Sequence, residues 1–203
     1  MPIRPRILIV DLDEAAELAH TFDAVISAGP TAQEVAEHFS HPDHLVVEFR
    51  DVVHRDAGGP TRDAVRAIVD FAATRADRSI LIHCHAGMSR STATAITILA
   101  SWGFSPDQAF EHARAARPDV AIAEDRPFIP NALLLSHADA VLDTALLQHD
   151  PEIARELVVA QGGTIEASST GPGGGATFTV RLPLATGTGR RRRARDRQPA
   201  TGS

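Results

Sequence analysis

The sequence predicts an α/β fold: a mainly parallel central sheet flanked by helices on both faces, then a C-terminal helix–hairpin appendage and a disordered tail. Three observations carry this reading. Up to about residue 145, short apolar runs alternate with stretches of helical periodicity. The runs are apolar throughout rather than at every second residue, as in strands covered on both faces. Beyond residue 186 the chain turns to Gly, Thr and Arg, a composition that cannot bury a core.

The elements follow in order. Arg6–Val10 reads as a strand leading to a helix near Asp13–His20, and a second strand, Asp23–Ser27, ends at Gly29-Pro30. Thr31 caps a helix through Phe39, and Glu34 three positions on completes a capping box. A strand covers 44–49. After Gly58-Gly59-Pro60, Thr61 opens a helix to about Ala76, with Val65, Ile68, Val69 and Ala72 at helical spacing. Ser79–His83 is a short buried strand, and Ser91–Trp102 is a helix ended by Gly103. Further helices are expected near 106–116 and 130–147. Residues 153–183 read as a helix and a β-hairpin, with Pro172–Gly175 at its tip. The organisation is therefore 1–148 for the main domain, 149–186 for the helix and hairpin, and 187–203 for a basic tail.

Bulk composition narrows the function. A chain of 203 residues that is 43% hydrophobic can build one core of ordinary size plus an appendage. No apolar stretch is long enough to span a membrane, and Ile7–Val10 is too short for a signal peptide. One cysteine excludes an internal disulfide framework and fits a reducing compartment, so the expected location is the cytoplasm. The ten histidines are scattered without zinc spacing, so neither a metal nor another cofactor is expected. The tail holds six arginines against Asp196, but no aromatic or amphipathic helix accompanies them and the chain as a whole carries −6. A solvated tail is the expectation, without dedicated nucleic-acid binding.

The single cysteine is where the chemistry concentrates. The text His83-Cys84-His85-Ala86-Gly87-Met88-Ser89-Arg90-Ser91 runs from a strand end through a short loop into a helix. The loop's N–H groups have no helical partners, and the helix N-terminus adds partial positive charge, so the loop can cradle a tetrahedral dianion. Gly87 admits a backbone angle that a Cβ resists. Arg90, at the spacing Cys-x5-Arg, can add a bidentate donor pair. Helix N-termini and neighbouring cations lower a thiol's pKa from about 8.5, so Cys84 is expected to be a thiolate at neutral pH. His83 and His85 flank it at alternate positions, so they should point one way while Cys84 points the other.

At these residues the sequence resembles the cysteine-dependent protein phosphatases, and within them the compact dual-specificity branch and its small bacterial members. The string matches that branch's His-Cys-x-x-Gly-x-x-Arg-Ser/Thr pattern without a gap, and the resemblance spans about residues 5–145. It implies Cys84 as nucleophile, Arg90 as phosphate clamp and Ser91 as the hydroxyl that eases departure of the thiolate. It implies His83 as a supporting group for the thiolate, and His85, Ala86, Gly87, Met88, Ser89 and Arg90 as the substrate-binding loop. The substrate would be a phosphorylated protein or a small phosphate ester. The family also needs a proton donor for the leaving oxygen. Asp51, Asp56 and Asp63 are candidates; Asp51 is favoured because it follows the 44–49 strand in Phe49-Arg50-Asp51-Val52, a stretch like that of bacterial relatives. Asp63 belongs to the first turn of the next helix. Ala113–Pro118 and Ile129-Pro130-Asn131 resemble the segment that packs behind the loop, with Asn131 read as a structural cap. Two other functions stay open on the sequence: a non-catalytic phosphate-binding module and a rhodanese-type sulfurtransferase.

Residues 153–183 resemble the final helix and hairpin of the ATP-binding domain of sensor histidine kinases, down to the closing Leu182-Pro183. Gln161-Gly162-Gly163 stands where that family has His-Gly-Gly. An asparagine-rich box is missing, Asn131 being the one asparagine, so the resemblance implies a remnant without kinase activity.

Overall fold

The computed structural model describes residues 6–53, 57–118, 128–149, 153, 155, 158–159, 162–169 and 176–183. Four strands, β1 (Arg6–Val10), β2 (Ala24–Gly29), β3 (His44–Glu48) and β4 (Ser79–His83), form one sheet in the order β1-β4-β2-β3, with every pairing parallel. Helices α1 (Leu12–Leu18), α2 (Ala32–His38), α3 (Arg62–Ala73), α4 (Arg90–Ser101), α5 (Pro106–Ala115), α6 (Ala132–Leu142) and α7 (Leu146–His149) surround it. The α/β expectation is met: a parallel sheet flanked by helices.

Strand alternation divides the core in two. Ile9, Ile26, Ile80 and Ile82 face α3, α4, α5 and α6, in one large apolar cluster. Val10, Val25 and Leu81 face the opposite way, packing with Ala15, Ala19, Phe22 and Phe39 from the α1–α2 side. Ile26, Ile80, Ile82 and Leu81 are fully buried, and each such side chain contributes about 1.5–3 kcal/mol relative to exposure. Ser27 and His83 follow the same alternation onto the α1–α2 side, where they are the polar members of an otherwise apolar layer.

Local signals explain most boundaries. The capping box at Thr31 and Glu34 forms as expected, and Thr61 caps α3 through Ala64 N–H. Two more boxes, Asp11/Glu14 on α1 and Ser105/Gln108 on α5, were not anticipated. The second strand runs over Ala24–Gly29 rather than Asp23–Ser27; the Asp23 N–H donates to the Ser79 hydroxyl instead of a strand carbonyl, and pairing with β4 begins at Ala24. The single helix expected over 130–147 is two. Asp143 takes a left-handed conformation (φ 55°) and ends α6, and the Asp139 carboxylate then accepts from Leu146 and Leu147 N–H to start α7. At the end of the chain β5 (Thr164–Ser169) and β6 (Ala176–Arg181) pair antiparallel, which is the expected hairpin. Asp56, the Pro172–Gly175 tip and the basic tail lie outside the described residues.

The C-terminal ends of all four strands point to one edge of the sheet. Asp11, Gly29, Phe49–Asp51 and the 84–89 loop therefore meet there, which is where open parallel sheets bind ligands.

Candidate active site

The 84–89 loop joins β4 to α4 and is held by its carbonyls. Leu12 N–H donates to His85 O (3.4 Å), Ile129 N–H to Met88 O (3.3 Å) and Asn131 N–H to Ser89 O (3.2 Å). The Thr92 hydroxyl donates to Met88 O and Ser89 O (2.7 and 2.8 Å), and His83 Nδ1 makes a longer contact to Cys84 O (3.4 Å). In a planar trans peptide the N–H of the next residue points opposite to the carbonyl. Anchoring these carbonyls to the scaffold turns the N–H groups of His85, Ala86, Ser89 and Arg90 away from it. No hydrogen bond among the described residues uses the N–H groups of residues 85–90. They form a concave set of unpaired donors at a helix N-terminus, suited to a tetrahedral anion. Gly87 makes the turn at φ +66°, and a Cβ there would stand 3.0–3.1 Å from the Val10–Asp11 backbone.

Cys84 is a free thiol and 1% exposed, with Sγ 3.2 Å from Ser91 Oγ in the first turn of α4. The two flanking histidines both turn toward α2, as the alternation predicts: His83 packs edge-on against Phe39, and His85 Nε2 lies 3.3 Å from Glu34.

Arg90 is 8% exposed, and its guanidinium is gripped from several sides. Nη2 donates to His85 Nδ1 (3.0 Å), Nη1 reaches Phe49 O (3.5 Å), and Nε lies 3.4 Å from Asp51 Oδ2 without a hydrogen-bond partner. Glu34 continues this line. Its carboxyl is held down at about 2 by the Thr31 N–H and hydroxyl and by His85, so it offers His85 a standing negative partner. Gly29, at φ +109°, makes room for the arginine, because a Cβ there would sit 2.8 Å from Arg90 Cδ and Cζ.

Asp51 lies beside the loop. Its Oδ1 accepts from the Ser89 hydroxyl (2.8 Å) and from Asn131 Nδ2 (2.9 Å), and its side chain is 38% exposed. Asp63, by contrast, sits in the first turn of α3, 91% exposed and paired with Arg66. Asn131 exceeds the structural role expected of it. Its Oδ1 caps α6 through Leu134 N–H while its amide nitrogen holds Asp51. A cleft of about 260 Å³ opens next to this pair, lined by Val52, Val53, Ile129 and Pro130 together with Asp51 and Ser89. Among the described residues no cluster of three or more His, Cys, Asp or Glu could hold a metal, and no helix is long and apolar enough to cross a membrane.

The sequence reading missed Ser27, His44, Gly29 and the second role of Asn131. Ser27 had a signal: a lone hydroxyl inside the apolar run Ala24–Gly29 must find a partner when buried. It finds two, with Oγ 2.6 Å from His83 Nε2 and 2.7 Å from His44 Nε2.

Burial pushes His83 down to about 4, partly offset by its bond to Cys84 O, and the nearby His44 and His85 push the same way; burial and His41 push His44 down to about 4. Both rings are thus neutral in the folded protein near pH 7. A group whose folded pKa lies below its unfolded value of 6.5 leaves stability intact above 6.5 and removes it as pH falls. His83 alone is expected to cost on the order of 3 kcal/mol between pH 6.5 and 4. Urea unfolding at stepped pH should show this loss. A Ser27→Ala, His83→Gln double variant, which keeps His44 but lacks His83, should lose clearly less over the same window.

The chain thus folds as a parallel sheet flanked by helices, with a Cys-x5-Arg loop running from a central strand into a buried helix. Among solved structures the chain is similar to human DUSP28, at 21% identity and TM-score 0.46, covering 73% of this chain and 98% of that one. It is also similar to the Cydia pomonella PTP-2 phosphatase (16%, TM-score 0.46, 89% and 96%) and to the Yvh1 phosphatase domain from Chaetomium thermophilum (17%, TM-score 0.43, 69% and 92%). No family model and no curated protein sequence matches.

Proposed function

We propose that this protein is a cysteine-dependent phosphatase that hydrolyses phosphate monoesters through a phosphocysteine at Cys84, acting on phosphotyrosine or other phosphorylated side chains of proteins. The observation that supports this best is the loop between Cys84 and α4, in which the carbonyls of Cys84, His85, Met88 and Ser89 are bonded to the scaffold while the N–H groups of residues 85–90 have no partner among the described residues. In the first step Cys84 Sγ attacks phosphorus in line, the P–O ester bond breaks, and Asp51 gives its proton to the leaving oxygen. The loop N–H groups and Arg90 stabilise charge on the equatorial oxygens. In the second step water attacks phosphorus, Asp51 takes its proton, and the P–S bond breaks with the Ser91 hydroxyl donating to the departing sulfur.

Asp51 Oδ1 is occupied by two donors, which leaves Oδ2 to carry the proton. A bound dianion would draw Arg90 from Oδ2 and free that oxygen for the leaving group. The apolar cleft beside Asp51 offers space for an aromatic leaving group. A thiol that must stay reduced fits a cytoplasmic setting. Residues 149–186 enter this reading only as the remnant of a fusion.

The test is turnover by the purified full chain on an aryl phosphate, phosphotyrosine, phosphoserine and phosphothreonine peptides, and a phosphoinositide, with and without vanadate. Vanadate-sensitive release of phosphate from the aryl phosphate and the phosphotyrosine peptide is expected. Sulfur transfer from thiosulfate to cyanide without any phosphate release would replace this reading with a sulfurtransferase.

A further inference from the structure

His83 is held from behind by a chain of side chains that reaches the edge strand of the sheet. Its donors and acceptors can be assigned by elimination. His83 Nδ1 faces the Cys84 carbonyl, which only accepts, so Nδ1 carries the hydrogen. A neutral ring then leaves Nε2 bare. Ser27 Oγ, 2.6 Å away, gives its one hydrogen to that nitrogen. The Ser27 oxygen in turn accepts from His44 Nε2 at 2.7 Å. The order is His44 Nε2–H to Ser27 Oγ–H to His83 Nε2, then His83 Nδ1–H to Cys84 O. Hydrogen bonds that point the same way along a chain strengthen one another in a low-dielectric interior.

The carbonyls of His85, Met88 and Ser89 are anchored by backbone N–H groups and the Thr92 hydroxyl. Cys84 O depends on the His83 ring, and that contact is long, at 3.4 Å. Its peptide partner is the N–H of His85, the first donor of the anion loop. We propose that Ser27 and His44 are positioning residues: they lock His83 in its Nδ1–H form, so that it holds the Cys84 carbonyl outward and turns the His85 N–H into the anion site. The inference rests on the phosphatase reading of the same loop.

The neighbouring histidines disfavour charge on the relay, while Asp11 acts on His83 in the opposite sense. His41 lies near His44, and His85 and Asp11 lie near His83. His44 also stacks on Phe39, with ring centroids 5.4 Å apart and planes at 19°. That stacking separates a structural role from a hydrogen-bonding one. Phenylalanine at 44 keeps the stack and loses the donor; glutamine loses the stack and restores an N–H.

The experiment is calorimetric titration of the full chain with inorganic phosphate, for wild type, Ser27→Ala, His44→Phe and His44→Gln, beside thermal unfolding of each. Ser27→Ala and His44→Phe are expected to weaken phosphate binding roughly 3- to 10-fold, the size of one neutral hydrogen bond. His44→Gln should recover most of that loss although its unfolding midpoint is lower than that of His44→Phe. Wild-type affinity in His44→Phe, or equal losses in His44→Gln and His44→Phe, would overturn the proposal. If Ser27→Ala does not fold, the two position-44 variants still decide. A wild type that binds no phosphate would instead refute the phosphatase reading, a separate result from a relay that proves idle.

Discussion

Cys84→Ser is expected to reduce aryl phosphate turnover by at least about 10⁴-fold while leaving phosphate affinity within a fewfold of wild type. Sulfur and oxygen differ little in size, so the loop should keep its geometry. A serine hydroxyl needs a base to become a nucleophile, and none stands ready. His83 Nδ1 faces the Cys84 carbonyl and its Nε2 is taken by Ser27, while the neighbour of Sγ is the hydroxyl of Ser91. The loop N–H groups and Arg90 are untouched, so the ground-state anion should still bind. Turnover and calorimetric phosphate affinity, measured on the same preparation, check both halves. Retention of more than a few per cent of activity would mean that the phosphoryl group never passes through residue 84.

Asp51→Asn is expected to lower kcat by about 10²–10⁴-fold on substrates with poor leaving groups. The loss should be much smaller on a nitrophenyl ester, whose leaving oxygen needs little protonation. The amide is nearly isosteric. Its oxygen can accept from Ser89 Oγ and Asn131 Nδ2 as the carboxylate does, so the loop stays assembled. It cannot deliver a proton, and its NH₂ would face Arg90 Nε in place of an oxygen. KM should therefore move less than kcat. A kcat independent of the substitution across a leaving-group series would remove Asp51 from the chemistry and return attention to Asp56.

The Cys84–Arg90 loop was legible because its signals are local. Cys84, Gly87, Arg90 and Ser91 sit within one strand–loop–helix unit, where spacing alone sets which groups converge. Asp51 was reachable too, since the strand before it ends on the same side of the sheet as β4 and nothing but chain direction was needed. The break between α6 and α7 was not, because it depends on Asp139 reaching forward to Leu146 and Leu147 and on the left-handed turn at Asp143. Asn131 had the same difficulty. A cap residue can be read from the residues that follow it, but its second bond joins a partner 80 positions away.

Apolar runs, caps and a strand-to-helix turn are short-range patterns, and the parallel sheet and the Cys84–Arg90 loop follow from them. How that loop is held open depends on contacts between distant parts of the chain. Ser27, His44 and His83 come from three strands that pair side by side, and Gly29 leaves space for an arginine 61 residues later. Sheet register and side-chain packing bring these groups together, and the spacing of residues along the chain carries no record of either.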